Sequence, residues 1–222
     1  MVSQSSNQAL FKHFRTLNIF IGVMKDKFMK PPKDIHHPVH DLIGSRWSPR
    51  AFDIGKEISS KTLHSLLESV RWAPSGFNNQ PWHLIVGDKH KYPESYQMII
   101  DVLVPWNQQW AITAPLLILT VTREKFELTG EPNKHSWYEL GLAIGNLTFQ
   151  VMHEGLYMHQ MGGFSEEKAR EVFDIPSEFA PVSVIAIGYR GDVDQLPREI
   201  KEKEFEQQER KHQKEYVHFG KW

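Results

Sequence analysis

Residues 138–157 carry apolar side chains around almost the whole helical circumference: Leu140, Leu142, Ala143, Ile144, Leu147, Phe149, Val151, Met152 and Leu156. A helix without a polar face has no side to present to water, so it belongs in a core or at a large subunit interface. Residues 115–122 and 182–189 are continuous apolar, β-branched runs, the pattern of strands buried on both faces. Ser59 is placed to cap a helix whose Leu63, Leu66, Leu67 and Val70 share one face, ending at Pro74. Residues 83–87 read as a short strand. Tyr96, Ile99, Ile100 and Leu103 mark an amphipathic helix after Pro93, and Ser165 caps another with Glu166 and Glu167 in its first turn. Helices and strands interleave without a regular βαβ array, which gives an α+β class. From Asp192 to Glu215 the mixed charge predicts an exposed helix and an extended arm, and residues 216–219 a closing strand.

Composition removes several functions. The 222 residues have a net charge of −1, so no basic surplus points to nucleic acid or an anionic membrane. With no cysteine there is no disulfide, thiolate metal site or cysteine nucleophile. No apolar run is long enough for a membrane span. Neither a Gly-x-Gly-x-x-Gly after a strand nor a Gly-Lys-Ser/Thr phosphate loop is present.

The first 40 residues stand apart. Leu10, Phe14, Leu17, Ile21, Met24 and Phe28 draw one apolar stripe, and residues 1–25 lack Asp and Glu. A helix covering its own domain or a partner subunit, an organelle-targeting peptide and a membrane-surface helix are all open. Three prolines between residues 30 and 41 make a linker, dividing the chain into 1–40 and a folded domain over 41–222. His36, His37 and His40 sit in that linker, and His153 and His159 do not share a helical face; no metal site is assigned to either set.

Residues 72–82, Trp-Ala-Pro-Ser-Gly-Phe-Asn-Asn-Gln-Pro-Trp, hold two prolines, a glycine and three side-chain amides. Such a stretch sustains neither helix nor central strand; it is a turn-rich loop bearing amide donors and acceptors. Upstream, Arg46, Ser48 and Arg50 alternate so that an extended backbone points all three to one side. Two guanidinium groups and a hydroxyl can hold a phosphate and the electron-rich edge of a heterocycle, although such a loop is also compatible with a solvated surface.

The two motifs together resemble the nitroreductase family of flavin enzymes, which show an Arg-x-Ser-x-Arg start followed by Ala-Pro-Ser-x-x-Asn-x-Gln-Pro-Trp. The likeness runs from about Gly44 to Trp222. Asn107 and Trp110 before Ala114-Pro115, Gly141 and Asn146 in the apolar helix, Gly162-Gly163-Phe164, and an ending with Arg210-Lys211 and Gly220-Lys221-Trp222 extend it. The resemblance implies a mixed central sheet flanked by helices in a domain-swapped homodimer, with FMN bound non-covalently at the subunit interface. It implies an oxidoreductase passing electrons from NAD(P)H to a small electron-poor acceptor by a ping-pong route, with the cytoplasm as its compartment. A specialised flavin reaction on the same fold, or a non-catalytic flavin-binding protein, are the alternatives.

Residue by residue, the resemblance places Arg46 and Ser48 with Arg210 at the FMN phosphate, Arg50 and Asn107 at the pyrimidine edge, and Trp47 among the cofactor-binding residues. Pro74, Ser75, Gly76 and Asn78 would come from the second subunit onto the ring, and Gly162 and Gly163 would let backbone approach N5. The flavin carries the chemistry, so no protein acid, base or nucleophile is assigned. Gln208 stands where many members have a second basic residue, and Phe77 where smaller residues are common. Residues 131–138, with His135, Trp137 and Tyr138, match nothing in the pattern; a substrate lid and interface packing are both compatible with them.

Overall fold

The computed structural model describes residues 35–204, 206 and 209–222. The apolar stripe of residues 10–28 lies outside them. The chain divides into two compact units: residues 40–204, and a second unit formed by the segments on either side.

In the larger unit a four-stranded sheet has the order β1-β2-β4-β3, with β1 at Trp82–Asp88, β2 at Leu116–Arg123, β3 at Tyr157–Met161 and β4 at Phe179–Gly188. Every pairing among the described residues is antiparallel, so the sheet is not the mixed one expected. β2 is central because its residues 116–122 are all buried, and period two sorts them between two cores. Leu117, Leu119 and Val121 face one cluster with Phe52, Ile99 and Trp110; Leu116 and Ile118 face the other with Leu66, Leu140 and Leu147. Two helices, α2 (Ser60–Arg71) and α5 (Ser136–His153), supply the second cluster. The first cluster is built by α3 (Pro93–Val102), α4 (Pro105–Ala111), α6 (Glu166–Val172) and α7 (Arg198–Glu204). A short α1 at Asp41–Ser45 precedes them all. The result is a sheet between two helical layers.

Local chemistry explains the boundaries. Ser59 caps α2 by accepting from the Thr62 N–H at 3.1 Å, and Ser165 caps α6 through the Lys168 N–H. α2 ends at Arg71, three residues before the proline expected to stop it. The apolar helix stops at His153 rather than running to Tyr157. Gly155, at φ 71°, turns the chain; the Leu156 N–H reaches the Val151 carbonyl at 2.9 Å and the Gly155 N–H that of Met152 at 3.2 Å. That arrangement satisfies the end carbonyls of α5 and releases β3. Pro181 within β4 has no N–H to give, and a bulge between Thr120 and Val121 accommodates it. There the Ser183 N–H is taken by Thr120 Oγ1 at 3.0 Å.

The closing strand expected over residues 216–219 is not formed. A 3₁₀ turn at Gln213–Glu215 precedes irregular chain to Trp222. Among the described residues no helix is long and apolar enough to cross a membrane.

Candidate flavin site

The Arg46–Arg50 segment is fastened on three sides. The buried Trp47 meets Tyr157 of β3 edge-on, with centroids 6.4 Å apart, and the Arg190 guanidinium lies 4.7 Å over its ring. The Pro49 carbonyl accepts from His159 Nδ1 of β3 at 3.1 Å. Glu204, at the end of α7, accepts the Arg50 N–H at 3.0 Å and pairs with the Arg50 guanidinium at 3.7 Å. Beyond this, Phe52 bridges to Arg190 past the end of β4. Arg46 and Ser48 come together, the guanidinium donating to the Ser48 hydroxyl at 3.2 Å.

The field here is positive. Burial first, and then the Arg50 and Arg46 charges, push His159 down to about 4, while backbone hydrogen bonds from Pro49 and Ser48 oppose them. Burial raises the Glu204 carboxyl, against the Arg50 N–H and the Arg50 charge, which favour ionisation.

Asn107, on α4, and Gly163, after β3, are neighbours: Asn107 Nδ2 donates to the Gly163 carbonyl at 3.0 Å, and the Val104 N–H does the same. A Cβ at residue 163 would lie 2.7 Å from Asn107 Nδ2 and 3.1 Å from Val104, so a side chain there would have to displace the Asn107 amide. At Gly162 a Cβ would meet nothing, and packing alone does not require glycine there.

The amide-rich loop forms a separate group. Phe77, Asn78 and Gln80 all have positive φ, of 54°, 55° and 49°. For side-chain-bearing residues each such conformation costs on the order of 1–3 kcal/mol and persists only where the surroundings impose it. Ser75 imposes part of it, since its hydroxyl accepts from the Gln80 N–H at 2.9 Å and its carbonyl from the Asn78 N–H at 3.1 Å. Glu139 adds to it, accepting the Gly76 N–H at 2.6 Å. Pro74 precedes this turn, and Phe77 is 93% exposed.

The sheet register separates the two groups within one subunit. The loop leads into Trp82, which pairs with Thr122, itself opposite Ala180; His159, which anchors Pro49 from the far edge strand β3, pairs with Ala186 of β4. Three strand spacings across and six residues along put Trp82 and His159 roughly 25 Å apart. Arg210 lies in the other compact unit, where its guanidinium donates to the Glu209 carbonyl at 2.8 Å.

Sequence reading missed Glu139, Asn133 and Glu204, and considered His159 only as a metal ligand. An acid inside the most apolar helix was the available signal for Glu139. His159 and Glu204 had none beyond their types, because their partners lie far along the chain.

Comparison with known proteins bears on the family and the fold. The Nitroreductase family model matches residues 43–189. A solved structure described as an oxidoreductase containing FMN superposes with a TM-score of 0.79 at 30% identity, over 86% of this chain and 96% of that one. A nitroreductase family protein of Clostridium difficile 630 shares the fold, with a TM-score of 0.64 at 20% identity over 84% of this chain and 100% of that one. A Bacillus subtilis (strain 168) protein named "Putative NAD(P)H nitroreductase YodC" is 26% identical over 179 residues, 67% of this chain and 87% of its own length. With its motifs, its layered fold and a family match over most of its length, the chain belongs to the nitroreductase family.

Proposed function

We propose that the chain is a cytoplasmic, homodimeric FMN oxidoreductase that uses NAD(P)H. The observation that carries this reading is the Arg46–Ser48–Arg50 cluster, fixed to β3 and α7 beside His159, which burial first and the arginine charges next keep neutral. A phosphate fits such a site: guanidinium groups and a hydroxyl supply charge-assisted hydrogen bonds. Arg46 and Ser48 would take the phosphate, and Trp47 would hold the backbone between them. Arg50, aligned by Glu204, would set a fixed cation at the pyrimidine edge beside Asn107. The Asn107 Nδ2 is committed to Gly163, which leaves its carbonyl oxygen to accept from an N–H of the ring. Gly162 and Gly163 keep the backbone near N5. Bound FMN supplies hydride acceptance from NAD(P)H and two-electron delivery to an electron-poor acceptor such as a nitroaromatic or quinone, in ping-pong order.

The distance within one subunit supports a second. Pro74, Ser75, Gly76 and Asn78 cannot reach the arginine cluster of their own chain across the sheet, but those of a partner can. α5 has a face suited to that partner: Tyr138 and Phe149 are exposed, and a Cβ at Gly141 or Gly145 between them would meet nothing. An apolar stripe with small residues allows close helix approach, as in a large interface.

The test is the absorbance of the purified protein loaded with FMN, followed anaerobically on adding NADPH. Bound flavin that bleaches and recovers with a nitroaromatic or quinone is expected; a chain that stays colourless in excess FMN ends the reading. Arg46→Ala should weaken FMN binding by about 1.5–3 kcal/mol, a loss of roughly 10- to 150-fold. Equilibrium titration of the apo-protein measures it, and an unchanged Kd would remove Arg46 from the phosphate.

A further inference from the structure

The turn at residues 75–80 is held in a strained conformation by a buried carboxylate that no catalytic role requires. Glu139 is 4% exposed, one turn into α5. Its Oε1 accepts the Gly76 N–H at 2.6 Å and its Oε2 accepts Asn133 Nδ2 at 3.0 Å. Asn133, 3% exposed, is itself fixed: its Oδ1 accepts the His135 N–H at 3.0 Å and its N–H donates to the Glu124 carbonyl at 2.8 Å. It belongs to the excursion between β2 and α5, closed by a bridge between Lys125 and Pro132. The same excursion touches the turn twice more, through the Glu127 N–H on Asn79 Oδ1 at 3.0 Å and through Phe126 edge-on to Phe77 at 6.0 Å.

We propose that Glu139 is a positioning residue: its two carboxylate oxygens lock the 75–80 turn and the 124–133 excursion into one rigid wall, which carries Phe77 and Phe126 toward the partner's flavin and the acceptor above it. The proposal rests on the functional reading above. The donor pattern demands a carboxylate. Gly76 offers only an N–H, and with Asn133 Oδ1 committed to His135 the amide turns its NH₂ toward residue 139. The two donors meet different oxygens, so a glutamine here would set its NH₂ against one of them, whereas glutamate accepts both. Half-satisfied buried networks lose their definition, and here a turn with three positive-φ residues would relax first.

Glu139→Gln, alike in shape, breaks one bond. Adding Asn133→Asp reverses donor and acceptor. The new carboxylate at position 133 accepts from the His135 N–H and from the NH₂ of the side-chain amide now at position 139. The carbonyl oxygen of that amide still accepts from the Gly76 N–H. The full-length protein in the wild-type, single and double forms is compared by FMN titration and by amide hydrogen exchange over residues 75–80. The single variant should bind FMN about tenfold more weakly and exchange faster in the turn, and the double variant should recover both. Wild-type binding in Glu139→Gln, no recovery in the double variant, or failure of both variants to fold would overturn the proposal. Failure of the wild type to take up FMN would instead remove the functional reading and the flavin part of the proposal. In that case exchange alone decides whether Glu139 holds the turn.

Discussion

Trp110→Ala should cost the folded protein about 3–5 kcal/mol, the range for deleting a large aromatic from a packed core. Trp110 is fully buried on α4, stacked on Phe52 at 6.5 Å and tilted against His159 at 4.5 Å. It joins the sheet layer to the segment bearing the arginines, so no single neighbour can collapse into the space it leaves. Against a typical total of about 5–15 kcal/mol, the loss is a large fraction of the stability. Trp110→Phe should behave differently. Its indole Nε1 is buried with no hydrogen-bond partner among the described residues, so phenylalanine deletes an unpaired donor whose burial costs about 1–3 kcal/mol while keeping most of the ring. The net loss for phenylalanine should be under about 1.5 kcal/mol. Urea unfolding of both variants separates the two effects; equal losses would mean that the indole N–H is satisfied or the ring poorly packed. Because α4 also carries Asn107, the alanine variant should lose FMN affinity along with stability, whereas the phenylalanine variant should retain it.

The sequence shows most clearly those elements whose residues are all of one kind. β2 and β4 were visible as β-branched runs because both of their faces are covered, and α2 because Ser59 and a clean apolar stripe announce it. β3 was hidden. Tyr157-Met-His-Gln-Met continues the apolar helix by type, and only the left-handed Gly155 separates the two. α4 was hidden because Pro105-Trp-Asn-Gln-Gln-Trp-Ala is short and reads as loop, although Trp106 and Trp110 share a helical face. The mixed sheet was expected from resemblance rather than from residues, and the register within this chain is antiparallel. At the candidate site the motif residues could be named in advance, but what holds them could not. Arg50 meets Glu204 from 154 positions away and Gly76 meets Glu139 from 63, and neither separation leaves a local pattern.

His159 makes the same segment sensitive to acid. Its imidazole is held at about 4 against an ordinary 6.5, by burial first and by the Arg50 charge next, so the folded chain keeps it neutral at physiological pH. Between those values the unfolded chain takes up a proton that the folded chain refuses. The stability that neutral His159 confers is therefore complete above about pH 6.5 and is lost as pH falls toward 4, by up to about 3 kcal/mol. Glu204 works in the opposite direction, because burial raises its carboxyl and protonation on the acid side relieves a cost, so the His159 contribution must be isolated by difference. His159→Gln keeps a donor for the Pro49 carbonyl and removes the titration. Urea midpoints for the two proteins should converge near pH 5 and part above pH 6.5 if histidine packs better when neutral; parallel curves would exclude His159 as the source. The Arg46 and Arg50 charges contribute to the depression, so an anion held by them raises the imidazole and narrows the window. Inorganic phosphate should therefore shrink the acid loss in the wild type and leave His159→Gln unaffected in this respect, which would tie the stability of the segment to the proposed anion site at the arginines.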